Sequence, residues 1–151
     1  SEPPELSAIS IRPILEEEID LVRKGHSDAT VEIEGSIPAV DVEATELIDS
    51  VFRNLLTNAI DHNDREEPTV TVCATETETT LEVVVADDGP GIPDREKRQI
   101  FGKGKQGLES DGTGIGLYLV EALVGQFGGD VRVEDNEPRG TRFVVELQIA
   151  N

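Results

Sequence analysis

The sequence of 151 residues predicts an α+β sandwich in which helices cover one face of a mainly antiparallel sheet. Two neighbouring segments carry the sheet: Val70, Val72, Ala74 and then Leu81, Val83, Val85 alternate with polar residues, the period of half-buried strands. Between the chain start and those strands, Ile48, Val51, Phe52, Leu55, Leu56 and Ala59 recur at i, i+3, i+4, i+7, the stripe of a helix with one buried face. Period two returns near the end with Val131 and Val133, then Phe143, Val145, Leu147 and Ile149. A chain of this length fits one domain that buries about two-thirds of the surface its unfolded form exposes.

In chain order, residues 1–5 read as a proline-containing linker and residues 6–151 as the domain. Ser1 and the absence of methionine lead us to expect a piece cut from a longer protein. Ile11, Ile14, Leu15, Ile19 and Val22 predict a helix over 11–23, and the alternation over 29–34 predicts a short strand. The long helix is expected over 42–62, with Asn54, Asn58 and Asp61 on its polar side. After the two strands comes a polar, glycine-rich stretch from Asp87 to Thr113, containing a short helix near 95–101. A further helix is expected over 114–127, stopped by Gly128-Gly129, before the two closing strands.

Composition narrows the function classes. Thirty-two acidic residues against 13 basic ones give a net charge of −19, a field that repels nucleic acid and anionic membranes. The acids are spread along the chain, a pattern that suits a salt-loaded cytoplasm such as a halophilic archaeon's, where repulsion is screened. The single cysteine excludes an internal disulfide and fits a reducing, cytoplasmic setting. No apolar run approaches the roughly 20 residues that span a bilayer.

Four short segments carry the chemistry. Asn54 and Asn58 stand four residues apart, hence one above the other on a helix. A carboxamide oxygen is a hard neutral ligand that suits Mg²⁺, which keeps waters and takes phosphate oxygens. Asp87 follows a valine-rich strand and opens Asp87-Asp88-Gly89-Pro90-Gly91. An ionised carboxylate only accepts hydrogen bonds, so it bonds adenine's exocyclic amine and rejects a carbonyl there. Gly89 and Gly91 admit close backbone approach to a flat ring, and Ile92 offers it an apolar cover. Taken alone, this motif reads equally well as a strand-to-loop turn.

Gly112-Thr113-Gly114-Ile115-Gly116-Leu117 precedes an apolar helix, so its backbone N–H groups and the helix start form an anion site. Arg95, Lys97, Arg98, Lys103 and Lys105 make the preceding window net positive, with Glu96 its one acid. A solvated helix face accounts for the first three; triphosphate contact better accounts for Lys103 and Lys105 in a glycine loop. Gly140-Thr141 supplies a polar floor. The chain has no Gly-x-x-x-x-Gly-Lys-Ser/Thr loop and no Gly-x-Gly-x-x-Gly after a first strand, so the pocket is built another way.

In this order the segments resemble the ATPase domain shared by histidine kinases, gyrase-type topoisomerases, Hsp90 and MutL. Asn54 to His62 is similar to the N box, Asp87 to Gly91 and Gly112 to Gly116 to glycine boxes, Ile100-Phe101 to the F box, and Gly140-Thr141 to the last box. The resemblance implies a two-layer Bergerat-type sandwich with left-handed βαβ character and about three helices on one face. It also implies ATP bound beneath a flexible lid from about Pro93 to Thr113. It places Mg²⁺ on Asn58, adenine on Asp87, a water-mediated adenine contact on Thr141, and His62 and Phe101 near the nucleotide. Gyrase-like ATPases and anti-sigma serine kinases carry a glutamate base where this chain has Asn54, which takes no proton at neutral pH. The Asn-Leu-Leu-x-Asn-Ala run is similar to histidine kinases specifically, and it makes Asn54 and Asn58 the candidate catalytic pair.

Many members of that group have a basic residue where this chain has Asp61. The implied function is donation of the ATP γ-phosphoryl group to a histidine on a separate dimerisation domain, with a response regulator downstream. His26 and His62 both lack the His-Glu or His-Asp helical context of a phosphoacceptor. A nucleotide-sensing module without transfer, an anti-sigma serine kinase and an acidic structural domain are the alternatives.

Overall fold

The computed structural model describes residues 4–102 and 113–151, with the side chains of residues 113–115 left out. The expectations placed on Lys103, Lys105, Gly112 and the lid between them lie outside the described residues, as do those on the side chains of Thr113, Gly114 and Ile115.

The elements run β1 (Ser7–Ser10), α1 (Ile11–Gly25), β2 (Thr30–Ile33), β3 (Asp41–Ala44), α2 (Ile48–Asp61), β4 (Thr69–Glu76), β5 (Thr80–Asp87), α3 (Asp94–Lys97), α4 (Thr113–Gln126), β6 (Asp130–Asp135) and β7 (Thr141–Gln148). A five-stranded sheet has the order β2-β4-β5-β7-β6. Its β2–β4 pair is parallel and the rest antiparallel, so the mixed, mainly antiparallel sheet matches the expectation. The predicted alternation is realised in register: Val72 stands opposite Val85, which stands opposite Phe143. Helices α1, α2 and α4 bury their stripes against that face, with Leu15, Ile19, Phe52, Leu55, Val120 and Phe127 among the residues sealed from solvent. The single-turn α3 adds a fourth helix and buries nothing.

Two strands differ from the expectation. The helix expected over 42–62 is instead β3, a turn, and then α2. Val42 and Ala44 point inward while Asp41 is exposed, and β3 pairs antiparallel with β1. A bridge from Val42 to Ile149 ties this two-stranded sheet to the end of the main one. Ala44, Ile48 and Val51 happen to fall at i, i+4, i+7, so a four-residue strand extends the helical stripe without breaking its period. Strand β1 has a single inward candidate, Ile9, too little alternation to register.

One buried charge joins two helices. Glu18 of α1 is 4% exposed and receives both arms of Arg53 from α2, at 3.0 and 2.8 Å. A bidentate guanidinium satisfies the carboxylate that burial would otherwise leave unsolvated. That pair ties α1 to α2.

Candidate functional site

The site forms where the end of β5, the polar side of α2, the start of α4 and the β6–β7 hairpin meet. Asp87 ends β5, and two backbone groups address one of its oxygens: the Gly89 N–H donates to Oδ1 at 2.8 Å and the Thr141 N–H at 3.2 Å. Among the described residues nothing donates to Oδ2, which leaves that acceptor for a ligand. Burial pushes the Asp87 carboxyl above its ordinary value; the two N–H groups pull it back, and the charge of Asp88 pushes it up again. The two glycine segments predicted to share a pocket are thus joined through one carboxylate oxygen.

Gly140 makes that union possible. Its φ is +113°, and a Cβ there would meet the Asp87 carbonyl group, with the carbonyl carbon at 2.7 Å and Oδ1 at 3.0 Å. Only a residue without a side chain lets β7 begin this close to β5. Thr141 follows and is 5% exposed.

The two amides of α2 behave differently. Asn54 donates its side-chain N–H to the Ser50 carbonyl at 2.7 Å, back along its own helix. Its Oδ1 faces α4 so closely that a Cβ on Gly116 would stand 2.6 Å from it. Asn54 therefore seats the first turn of α4, the turn onto which the second glycine loop leads. Asn58, half-buried one turn further, takes no side-chain hydrogen bond among the described residues. His62 caps α2 at an exposed position, its backbone N–H donating to the Asn58 carbonyl at 3.1 Å. Asp61 lies 3.8 Å from the Nε2 of His26, in the loop after α1.

Some predicted contact residues also pack within the core. Phe101 is 8% exposed and packs edge-on against Phe143, with ring centres 6.1 Å apart. Leu117 is buried at 6% exposure in the core that α4 shares with α2. Ile92 is packed against the core, and Gly91 adopts φ +83°. Lys97 does not face solvent as a helix-surface charge: its Nζ donates to the Ile92 carbonyl at 2.8 Å and meets Asp94 at 2.6 Å and Asp135 at 2.8 Å. It fastens the segment after the Asp87 loop to β6. A cavity of about 450 Å³, walled partly by Gly91, Ile92, Asn136, Arg139 and Gly140, opens on the hairpin side of that loop, and neither Asp87 nor Asn58 lines it.

Motif reading missed the residues that hold the loop itself. Asn136 donates to the Asp87 carbonyl at 2.8 Å. Arg139 donates to the Asp88 carbonyl at 2.8 Å, and Arg65 reaches the same oxygen at 3.0 Å. The Asp88 carboxylate accepts from Asn63 at 2.9 Å and from the Thr69 N–H at 3.1 Å. Their one signal is position, directly after the N-box helix and directly before Gly140-Thr141.

For a metal, the donor set is thin. Among the described residues no three His, Cys, Asp or Glu side chains gather as a cage. One neutral carboxamide suits a cation that keeps its waters and is held chiefly by a ligand's phosphates, the habit of Mg²⁺. Among the described residues, no helix is long and apolar enough to cross a membrane.

Residues 43–151 match the family described as Histidine kinase-, DNA gyrase B-, and HSP90-like ATPase. The chain is 30% identical over 97% of its length to the sensor histidine kinase AruS of Pseudomonas aeruginosa, and 27% identical over 92% to the signal transduction histidine-protein kinase BarA of Escherichia coli. It spans 16% of the length of each of these relatives. Among solved structures, a mycobacterial sensor histidine kinase, MprB, superposes with a TM-score of 0.84 at 25% identity, covering 95% of this chain and 97% of that one.

Proposed function

From the chain's membership of the histidine kinase-, DNA gyrase B- and HSP90-like ATPase family, we propose that it binds Mg²⁺-ATP and presents the γ-phosphoryl group to a histidine of a separate dimerisation domain. The parent protein is then a sensor histidine kinase that passes the phosphoryl group on to a response regulator. The observation that carries this reading is the state of Asp87: one oxygen saturated by two backbone N–H groups, the other open to a purine amine.

Each residue has a physical role. Asp87 accepts from the adenine amino group and rejects a 6-oxo purine. Thr141 gives its N–H to Asp87 and its side chain to the pocket floor. Asn58 would hold Mg²⁺, which when bound would neutralise phosphate charge. Asn54 seats the start of α4 through Gly116, so that the glycine loop meets the phosphates at a helix start. Lys103 and Lys105 add positive charge beside the triphosphate. Phosphoryl transfer asks for alignment and charge neutralisation rather than a protein nucleophile, and this set provides those two things. Asn54, unlike a glutamate, activates no water, which favours transfer over hydrolysis.

The test joins the chain to the histidine-bearing domain of its parent and follows labelled phosphate from ATP. Phosphate on histidine, acid-labile and absent when the acceptor is replaced, is expected. Tight ATP binding with no phosphohistidine would favour a nucleotide-sensing module instead.

We place the domain in the cytoplasm, where ATP and a response regulator are available, with neither nucleic acid nor membrane as a partner. A net charge of −19 further suits a salt-rich interior. Stability to heat is therefore expected to rise between low salt and molar KCl, as the Debye length shrinks from about 10 Å to about 3 Å. Melting temperatures that ignore salt would remove the halophilic reading.

A further inference from the structure

We propose that Arg65 and Arg139 are positioning residues for Asp87, acting together on the single carbonyl of Asp88. The proposal rests on the reading of Asp87 as the adenine acceptor.

The peptide unit between Asp88 and Gly89 has two ends. Its N–H donates to Asp87 Oδ1 at 2.8 Å. Its carbonyl oxygen accepts from Arg65 Nε at 3.0 Å and from an Arg139 terminal nitrogen at 2.8 Å. A peptide is planar, so fixing the oxygen fixes the direction of the N–H. That direction, together with the longer bond from the Thr141 N–H, decides which carboxylate oxygen is occupied and which faces the ligand.

Both arginines are themselves anchored. Arg139 grips the Asp64 carboxylate with two nitrogens, at 3.0 and 2.6 Å, and so belongs to the hairpin and to the loop after α2 at once. Arg65 also meets the Asp88 carboxylate at 3.2 Å. The planar fork of arginine holds such geometry in a way a lysine cannot. Two guanidinium donors occupy both lone pairs of that carbonyl, so its direction is fixed from two sides. In a chain with only 13 basic residues, the convergence marks a peptide whose orientation matters. A plain loop staple would use the same bonds, so the test must separate orientation from stability.

The readout is selectivity. ATP and inosine triphosphate share phosphates and sugar and differ at purine position 6, amine against carbonyl. Wild type is expected to prefer ATP. In the double variant Arg65→Ala/Arg139→Ala, ATP affinity is expected to drop about tenfold while inosine triphosphate affinity stays within about twofold, since a mis-aimed Asp87 keeps part of a charge-assisted hydrogen bond whose full loss costs about 30-fold. The milder Arg65→Lys/Arg139→Lys pair, which keeps charge but loses the forks, should give the same trend with a drop of about threefold, and it serves where the alanine pair does not fold. Equal weakening of both nucleotides, or no weakening of either, would overturn the positioning role. A wild type that binds the two nucleotides equally would instead overturn the adenine reading of Asp87 itself.

Discussion

Asp87→Asn is expected to weaken ATP binding by about 30-fold while leaving the ligand-free domain as stable as wild type or more so. The loss follows from donor arithmetic. The new Oδ1 still accepts from Gly89 and Thr141, so the amide nitrogen takes the outward position and faces the adenine amine, donor against donor. Losing a hydrogen bond to a charged group costs about 2 kcal/mol, which is that factor in affinity. The stability result follows from linkage. Burial raises the Asp87 carboxyl in the folded state, so ionised Asp87 favours unfolding. That penalty is absent below the ordinary Asp value of about 3.9, grows as pH rises through the elevated folded value, and is complete at neutral pH. Calorimetric titration and thermal melts at neutral and mildly acidic pH measure both halves. In wild type, ATP affinity should fall with acidification earlier than an ordinary aspartate would allow.

Gly140→Ala is expected to damage fold and binding together, lowering stability by about 2–5 kcal/mol. A side chain at positive φ costs about 1–2 kcal/mol, and forcing a methyl into a packed contact costs about 1–3 more. Neither neighbour can yield cheaply: the Asp87 carbonyl is held by Asn136, and the Asp87 carboxylate by the next residue's own N–H. Gly35→Ala is the control, because Gly35 has φ +73° with open space around its missing Cβ and so carries the strain alone. Denaturant midpoints should therefore move much further for Gly140→Ala than for Gly35→Ala.

The sheet and the three long helices were legible because their apolar periods are long and unambiguous, as in the alternation from Val70 to Val85. Strand β3 was hidden because Ala44 continues the period of the helix after it, and β1 because it offers one inward residue. At the candidate site, the order of motifs named Asp87, Asn58 and Thr141, and the fold brings the first and last of these into one hydrogen bond. Phe101 and Leu117 could be found too, yet both are buried in packing, since an apolar residue beside a pocket and one beneath it look alike in sequence. Arg65, Asn136 and Arg139 left no motif. Their acceptors are backbone carbonyls, which every residue carries, so only the folded chain shows which donor reaches which oxygen.

The most direct test of a two-handed nucleotide grip is the magnesium dependence of ATP binding in wild type and Asn58→Ala. With a chelator present, the two proteins are expected to bind ATP alike. Adding Mg²⁺ should strengthen wild type at least about tenfold, a gain of about 1.4 kcal/mol, and leave Asn58→Ala almost unchanged. An Asn58→Ala protein that gains from Mg²⁺ as fully as wild type, or that is equally impaired with and without it, would contradict the assignment of the metal to this carboxamide.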